Sequence, residues 1–475
     1  MVQATTIERI ESPPAGVLRD RVAVLLNGAI YISLLVLIVL TAVPYGTVEA
    51  WWKAGFVCLT FILAIGWIVE GLLGGSWRTG GRAVLLPLVA FSGFSLLQTI
   101  SFRNASSAGI TNPFWNAISA DPFQTRLFVL QLGALTLAGA LFYRYVTSRI
   151  RISTLIHVII GVAVASALFG IIRQTTQTEV GFGLPLLRPE QGYGQFINKN
   201  HFAFLAEMGF GLALGLLVAG RVSRERALIY FTSLLPIWTA LVLSNSRGGL
   251  LAMLAQLVIA ALLFTAAASS SRGGEAKVAK IFRWWPVRIA LIAVLVIGVF
   301  IGTLWVGGDR LVSNIEAVSS EFDANAATRY GSSRTEIWKA TLRMFREHPI
   351  AGIGMGGYWI AISAYHDSSG KRTPHEAHSD YLELLASGGV IGLALGAWFA
   401  LAVFLRVRRN LKARSHFRRA VTFAATLGIA GVAVHSLVDF GLHMIVNALI
   451  LVALITIATS NTDFTRENGG NNSYV

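Results

Sequence analysis

Apolar runs of bilayer-crossing length recur along almost the whole chain, separated by polar connections. A crossing helix needs roughly 17–25 predominantly apolar residues. Runs that qualify lie near 22–43, 54–73, 83–100, 127–143, 152–172 and 202–219. Others lie near 227–243, 248–266, 287–306, 382–405, 420–437 and 442–459, so the pattern predicts twelve helices. The predicted fold is therefore an all-α polytopic integral membrane protein. A polar arm (1–21) precedes nine helices (22–306), and a long loop (307–380) separates these from three more (381–460). A polar tail (461–475) follows and reads as disordered.

Two connections exceed a turn, 173–200 and 307–380. Within the second, SRTEIWKATLRMFRE (333–347) sets Ile337, Leu342 and Phe345 beside Trp338 among charged positions. That spacing predicts an amphipathic helix on the membrane surface or over a cavity. The following HPIAGIGMGGY is a Pro/Gly loop that returns the chain toward the bilayer.

Composition agrees with the pattern. Of 475 residues 54% are hydrophobic and 13% charged, whereas a soluble domain carries about 25% charged residues. The net charge of +15 does not point to nucleic acid, because its placement follows topology. Arg19 and Arg21, Arg78 and Arg82, Arg144 to Arg151, Arg221 to Arg226, Arg272 to Arg288 and Arg406 to Arg419 fall on alternate connections. The intervening short loops carry isolated cases such as Lys53 and Arg103. By the positive-inside rule both termini are cytoplasmic and the two long connections face outward. Attraction to anionic membrane lipids is a by-product of this charge. The polar arm before a full-length first span argues against a cleavable signal peptide. The single cysteine, Cys58, excludes an intramolecular disulfide.

Chemistry-bearing residues then cluster on the predicted outer face. His378 precedes an apolar helix at the membrane surface, where an imidazole can take a proton from a hydroxyl near neutral pH. The same stretch also reads as a helix start, with Ser379 or Asp380 as cap and Gly388-Gly389 as a packing notch. Arg247, in the short SNSRGG connection (244–249), sits at a helix start where backbone amides favour anions. It reads equally as an arginine snorkelling to lipid phosphates. Arg334 opens the surface helix as a second anion ligand or a solvated side chain. Asn198, Lys199, Asn200 and His201 gather where the first long loop meets helix six. They suit sugar hydroxyls or phosphate, and Asn198 or Asn200 also suits a helix cap. His375 adds another imidazole beside His378.

His435 and Asp439 fall in HSLVDFGLH (435–443), between the last two helices. A carboxylate at that depth costs roughly 2.5–3.5 kcal/mol unless paired or wet, so an arginine partner is expected. His435, Asp439 and His443 have ligand-type side chains, but the Asp-Phe-Gly turn breaks the single face a metal would need. No metal and no other cofactor is expected. Gly352, Gly354, Gly356 and Gly357 make a weak phosphate cradle, with no preceding strand and no loop lysine.

Taken in order, FINKNHFAF (196–204), SNSRGG, the 333–358 segment, HEAHSDYLELLASGGVIG (375–392) and HSLVDFGLH resemble the O-antigen ligase and polymerase superfamily. The resemblance covers about 190–455. Its central motif, a His followed by Asn, Ser or Gln, nine residues and Gly-x-x-Gly, is met by His378, Ser379, Gly389 and Gly392. The resemblance implies glycan transfer from undecaprenyl pyrophosphate to an acceptor hydroxyl on the periplasmic side of a bacterial inner membrane. It further implies that Arg247 and Arg334 hold the pyrophosphate and that His378 is the base. The acceptor that the resemblance implies is a glycan or the lipid A core. A protein O-oligosaccharyltransferase of the same superfamily is the alternative. Twelve helices also fit a polysaccharide transporter or export subunit, but no inverted repeat is visible and the outer insertion is large.

Overall fold

The computed structural model describes residues 15–43, 45–77, 79–101, 117–176, 184, 186–187, 192–219, 222–270, 334–366 and 374–460. Among them are thirteen α-helices and no named strand. In chain order these are α1 (Ala15–Ala42), α2 (Ala50–Gly74), α3 (Arg82–Leu97), α4 (Pro122–Tyr145) and α5 (Arg149–Thr176). They continue with α6 (Lys199–Ala219), α7 (Arg224–Leu243), α8 (Arg247–Ser270), α9 (Arg334–Glu347) and the single turn α10 (Tyr358–Ala361). Last come α11 (Asp380–Asn410), α12 (His416–His435) and α13 (Ile445–Thr459).

Eight of these are long and apolar enough to cross a membrane, and α3, α13 and the described part of α8 are shorter apolar helices. The chain is a multi-pass membrane protein. Each described helix of this set falls on an expected apolar run. The expected ninth helix (287–306), the basic stretch 272–288, the segment 307–333 and the tail 461–475 lie outside the described residues.

Helix α6 forms the centre, with 83% of its apolar window buried against 22% for α11. Its small residues explain this position. A side chain at Gly209 would meet Ala163 of α5 at 2.3 Å, and one at Gly211 or Gly215 would meet the α12 backbone at 2.5 and 2.3 Å. Without water to drive association, close backbone approach between small residues holds such helices together.

The structure corrects three expectations. Helix α3 ends at Leu97 rather than near 100, because Gln98 turns inward and is fully buried. Helix α9 buries Ile337, Ala340, Thr341 and Met344, while Leu342 faces outward at 38% exposure. The 382–405 run is not one continuous helix, since α11 breaks at Gly389 (φ 60°, ψ −159°). The 349–354 loop lies along that break. Val390 N donates to Pro349 O at 2.8 Å, and Ile391 N to Ile350 O at 3.2 Å. Ile353 N and Gly354 N donate back to Ala386 O and Ser387 O, both at 3.0 Å. The loop thereby satisfies backbone groups that the broken helix frees, which a bilayer would otherwise penalise. Gln98 closes the joint, donating to Ala351 O (2.6 Å) and Ser387 O (3.0 Å) and accepting from Met355 N (3.1 Å).

Candidate active site

The starts of α6, α8, α9, α11 and α13 and the end of α12 meet at one end of the bundle. Asp439, 1% exposed, ties several of them together. One carboxylate oxygen accepts from Phe440 N at 2.9 Å. The other faces Arg334 at 3.4 Å and accepts from the Asn200 amide. Asn200 Oδ1 in turn accepts from Ser246 Oγ at 2.8 Å. Ser246 Oγ also accepts from Gly249 N at 3.2 Å, which caps α8 one residue before Arg247. The expected arginine partner of Asp439 is thus Arg334. Asn200 is a network member, and Asn198 is the cap, accepting from Asn200 N at 2.9 Å.

Asp439 and its turn also fix the start of α11. Asp380 N donates to Ser436 O and Asp439 O at 3.0 and 3.2 Å. Ser436 Oγ donates to the Asp380 carboxylate at 2.7 Å. Ser379 caps α11 by accepting from Leu382 N at 3.4 Å. His378, just before this cap, is half-buried and left-handed (φ 51°). That conformation turns the chain abruptly into α11.

Phe440 stands among three imidazoles. His201 and His378 each meet its ring edge-on at 5.0 Å, and His443 lies at 5.7 Å. His443 Nε2 reaches Glu383 at 3.3 Å, and the same carboxylate accepts from Ala377 N at 3.0 Å. Trp338 of α9 donates to Ala377 O at 3.0 Å, so the surface helix is pinned to the 375–379 loop. His375 is exposed and stacks on Trp359 at 6.1 Å. Burial pushes the Glu376 carboxyl above its ordinary range, partly offset by the His443 charge.

His435 belongs to a deeper layer. Its Nδ1 meets Glu207 of α6 at 3.0 Å, its ring stacks on Phe204 at 4.0 Å, and both charged-type side chains are fully buried. A side chain at Gly248 would meet the His435 ring at 2.4 Å, so the imidazole lies directly under the residue after Arg247. His435, Asp439 and His443 therefore face three separate partners: Glu207, Arg334 and Glu383.

Four participants were not singled out from sequence: Glu207, Gln98, Glu383 and Lys53. Glu207 and Glu383 carried a signal, each being an acidic residue inside an apolar run. Lys53, read as a stray outer lysine, lies within electrostatic reach of His201 and Glu376. The glycines of 352–357 do not form a cradle. Gly352 and Gly354 have φ of 67° and 93° and press against Ser387 and Ser119, where added side chains would meet atoms at 2.4 Å.

Residues 231–397 match the family model described as O-antigen ligase. The match supports membership of the O-antigen ligase family. It spans Arg247, Arg334 and His378, while Asn200 and Asp439 lie outside it and join the site only in space. The match to this family indicates an O-antigen ligase-like membrane glycosyltransferase, with glycan and lipid-linked substrates in general. No curated protein matches the chain.

Proposed function

We propose that this protein moves a glycan from undecaprenyl pyrophosphate to an acceptor hydroxyl on the periplasmic face of the inner membrane. It acts as an O-antigen ligase or as a surface-polysaccharide polymerase, with both termini cytoplasmic. One observation carries this reading: segments 198–201, 244–249, 334–338 and 375–383 are bonded together around the Asp439 turn, at one end of an apolar bundle. A lipid-borne donor can reach such a place from within the bilayer.

In this reading Arg247 and Arg334 hold the donor pyrophosphate. When the bond from the anomeric carbon to pyrophosphate breaks, negative charge grows on the departing oxygen. Two guanidinium forks stabilise it by bidentate, charge-assisted hydrogen bonds. Asp439 aims Arg334, and the capped start of α8 adds oriented amides beside Arg247. His378 takes the proton from the acceptor hydroxyl as its oxygen attacks the opposite side of the anomeric carbon. Configuration inverts, and undecaprenyl pyrophosphate leaves. Base catalysis of this kind contributes typically about 10²–10⁴-fold. The arginines supply the charge that a divalent cation supplies elsewhere, so the reaction is metal-independent in this reading.

The test measures donor binding and product formation together, in membranes with matched protein levels and excess chelator. Asn tolerates left-handed backbone, so His378→Asn keeps the φ of 51° and removes the base. It should bind lipid-linked donor and fail in transfer. Arg247→Lys keeps the charge and loses the fork, and should fall strongly in transfer. Near-normal transfer by His378→Asn removes the histidine from the chemistry. Activity that disappears with chelator and returns with magnesium defeats the metal-independent mechanism.

A further inference from the structure

A second polar cluster lies at the opposite end of the bundle, between α1, α2, α4 and α5, outside the family match. At its centre Glu70, 6% exposed, accepts from Arg144 through both oxygens at 3.1 Å and from Tyr145 Oη at 3.1 Å. The Asn27 amide donates to the same carboxylate at 3.3 Å. The Glu70 charge is thereby matched by Arg144.

Arg151 is a second, half-buried guanidinium in the same cluster. Its side chain donates to Tyr145 O and Asn27 Oδ1, each at 2.8 Å, and lies over the Tyr31 ring at 4.8 Å. All of these partners are neutral, so one positive charge is left over. It faces a cavity of about 180 Å³ lined by Ala23, Val24, Asn27, Glu70 and Arg151. A single water needs only about 10–15 Å³ of such space, so there is room for a phosphate group.

The surroundings say what kind of phosphate. Val24, which lines the cavity, is 72% exposed, and Leu25 and Leu72, on the same two helices of bilayer-crossing composition, are 72% and 62% exposed. Trp77, 49% exposed, packs against Gly71 at the same level. Tryptophans with one face apolar and one wet gather at the headgroup layer. A ligand here therefore has an anionic head and apolar chains that run along α1 and α2.

We propose that Arg151 and Asn27 form a binding site for the phosphodiester of an anionic membrane phospholipid, held in the cleft between α1 and α2. Arg151 donates to phosphate oxygens with the guanidinium protons its neutral partners leave over, and the acyl chains cover Val24 and Leu25. The proposal is independent of the glycan chemistry at the other end.

The full-length protein, purified in detergent, is mixed with phosphatidylglycerol or phosphatidylcholine, and retained lipid is counted by native mass spectrometry. Phosphatidylglycerol should be retained in preference, and Arg151→Gln should weaken its retention about fivefold. Val24→Trp, which fills the mouth without changing charge, should do the same, and Arg126→Gln on α4 should leave retention unchanged. Equal retention by wild type and Arg151→Gln overturns the site. Should Arg151→Gln fail to fold, wild-type retention by Val24→Trp overturns it equally. Equal retention of phosphatidylcholine overturns the preference for an anionic head. Thermal protection by inorganic phosphate alone, matching that by phosphatidylglycerol, assigns the cleft to a free anion and overturns the lipid.

Discussion

Arg334 and Asp439 are 105 residues apart in the chain and face each other at 3.4 Å. The carboxylate is 2% exposed and the guanidinium 36%. The exposed guanidinium limits what the pair itself adds to stability, and the contact with a buried carboxylate fixes where the arginine points. Asp439→Asn keeps the shape and loses the charge. Transfer should fall by roughly tenfold, about one charge-assisted hydrogen bond lost from the transition state, and the melting temperature in detergent should drop, because the new amide nitrogen faces donors that the buried carboxylate accepted. Full transfer by this variant would disconnect Asp439 from the function of Arg334.

Gly389 and Gly392 share one motif and have different physical roles. Gly389 has a positive φ, and a side chain there would meet Ile350 O at 2.4 Å. At Gly392 the nearest atom would be Leu384 Cδ1 at 3.6 Å, an ordinary contact. Gly389→Ala should lower stability by about 1–3 kcal/mol from backbone strain alone, with the collision added. Gly392→Ala should melt close to wild type. Equal melting temperatures for the two variants would disprove the break in α11.

Stability should respond to pH through Glu376. Burial raises its carboxyl in the folded state, so folding favours the protonated form. Stability from this group is intact below the unfolded carboxylate range. It is lost as pH rises from there through the raised folded value. Glu376→Gln removes the dependence, so the variant should gain over wild type at neutral pH and not in acid. Melting curves across that range decide the matter. A difference independent of pH means that the carboxyl titrates normally.

The proposed orientation can be read with single cysteines in a Cys58→Ser background. Ser363 and Lys412 are both exposed, near the site and at the far end of α11 respectively. A membrane-impermeant thiol reagent should label Ser363→Cys in intact cells and leave Lys412→Cys unlabelled until the cells are opened. The reverse pattern turns the molecule over and places the site in the cytoplasm.

The described spanning helices were legible in the sequence because lipid imposes a local rule. Each segment must satisfy its own backbone and present apolar side chains over a bilayer thickness. Arg247, Arg334 and His378 stand out in the sequence as candidates for a related reason, as polar groups at the margins of apolar runs. The connections among them were not legible. That Asn200 bridges Ser246 to Asp439 depends on how α6, α8 and α12 pack. That packing rests on small residues such as Gly211 and Gly215, whose partners lie about two hundred positions away. The break at Gly389 was hidden because its cause is the 349–354 loop, and Glu207 was hidden because its partner, His435, is 228 residues distant. Composition and periodicity determine which segments enter the membrane, since that depends on each segment's own surface. Which polar groups meet at the end of the bundle is decided only when backbones approach closely enough for distant side chains to share hydrogen bonds.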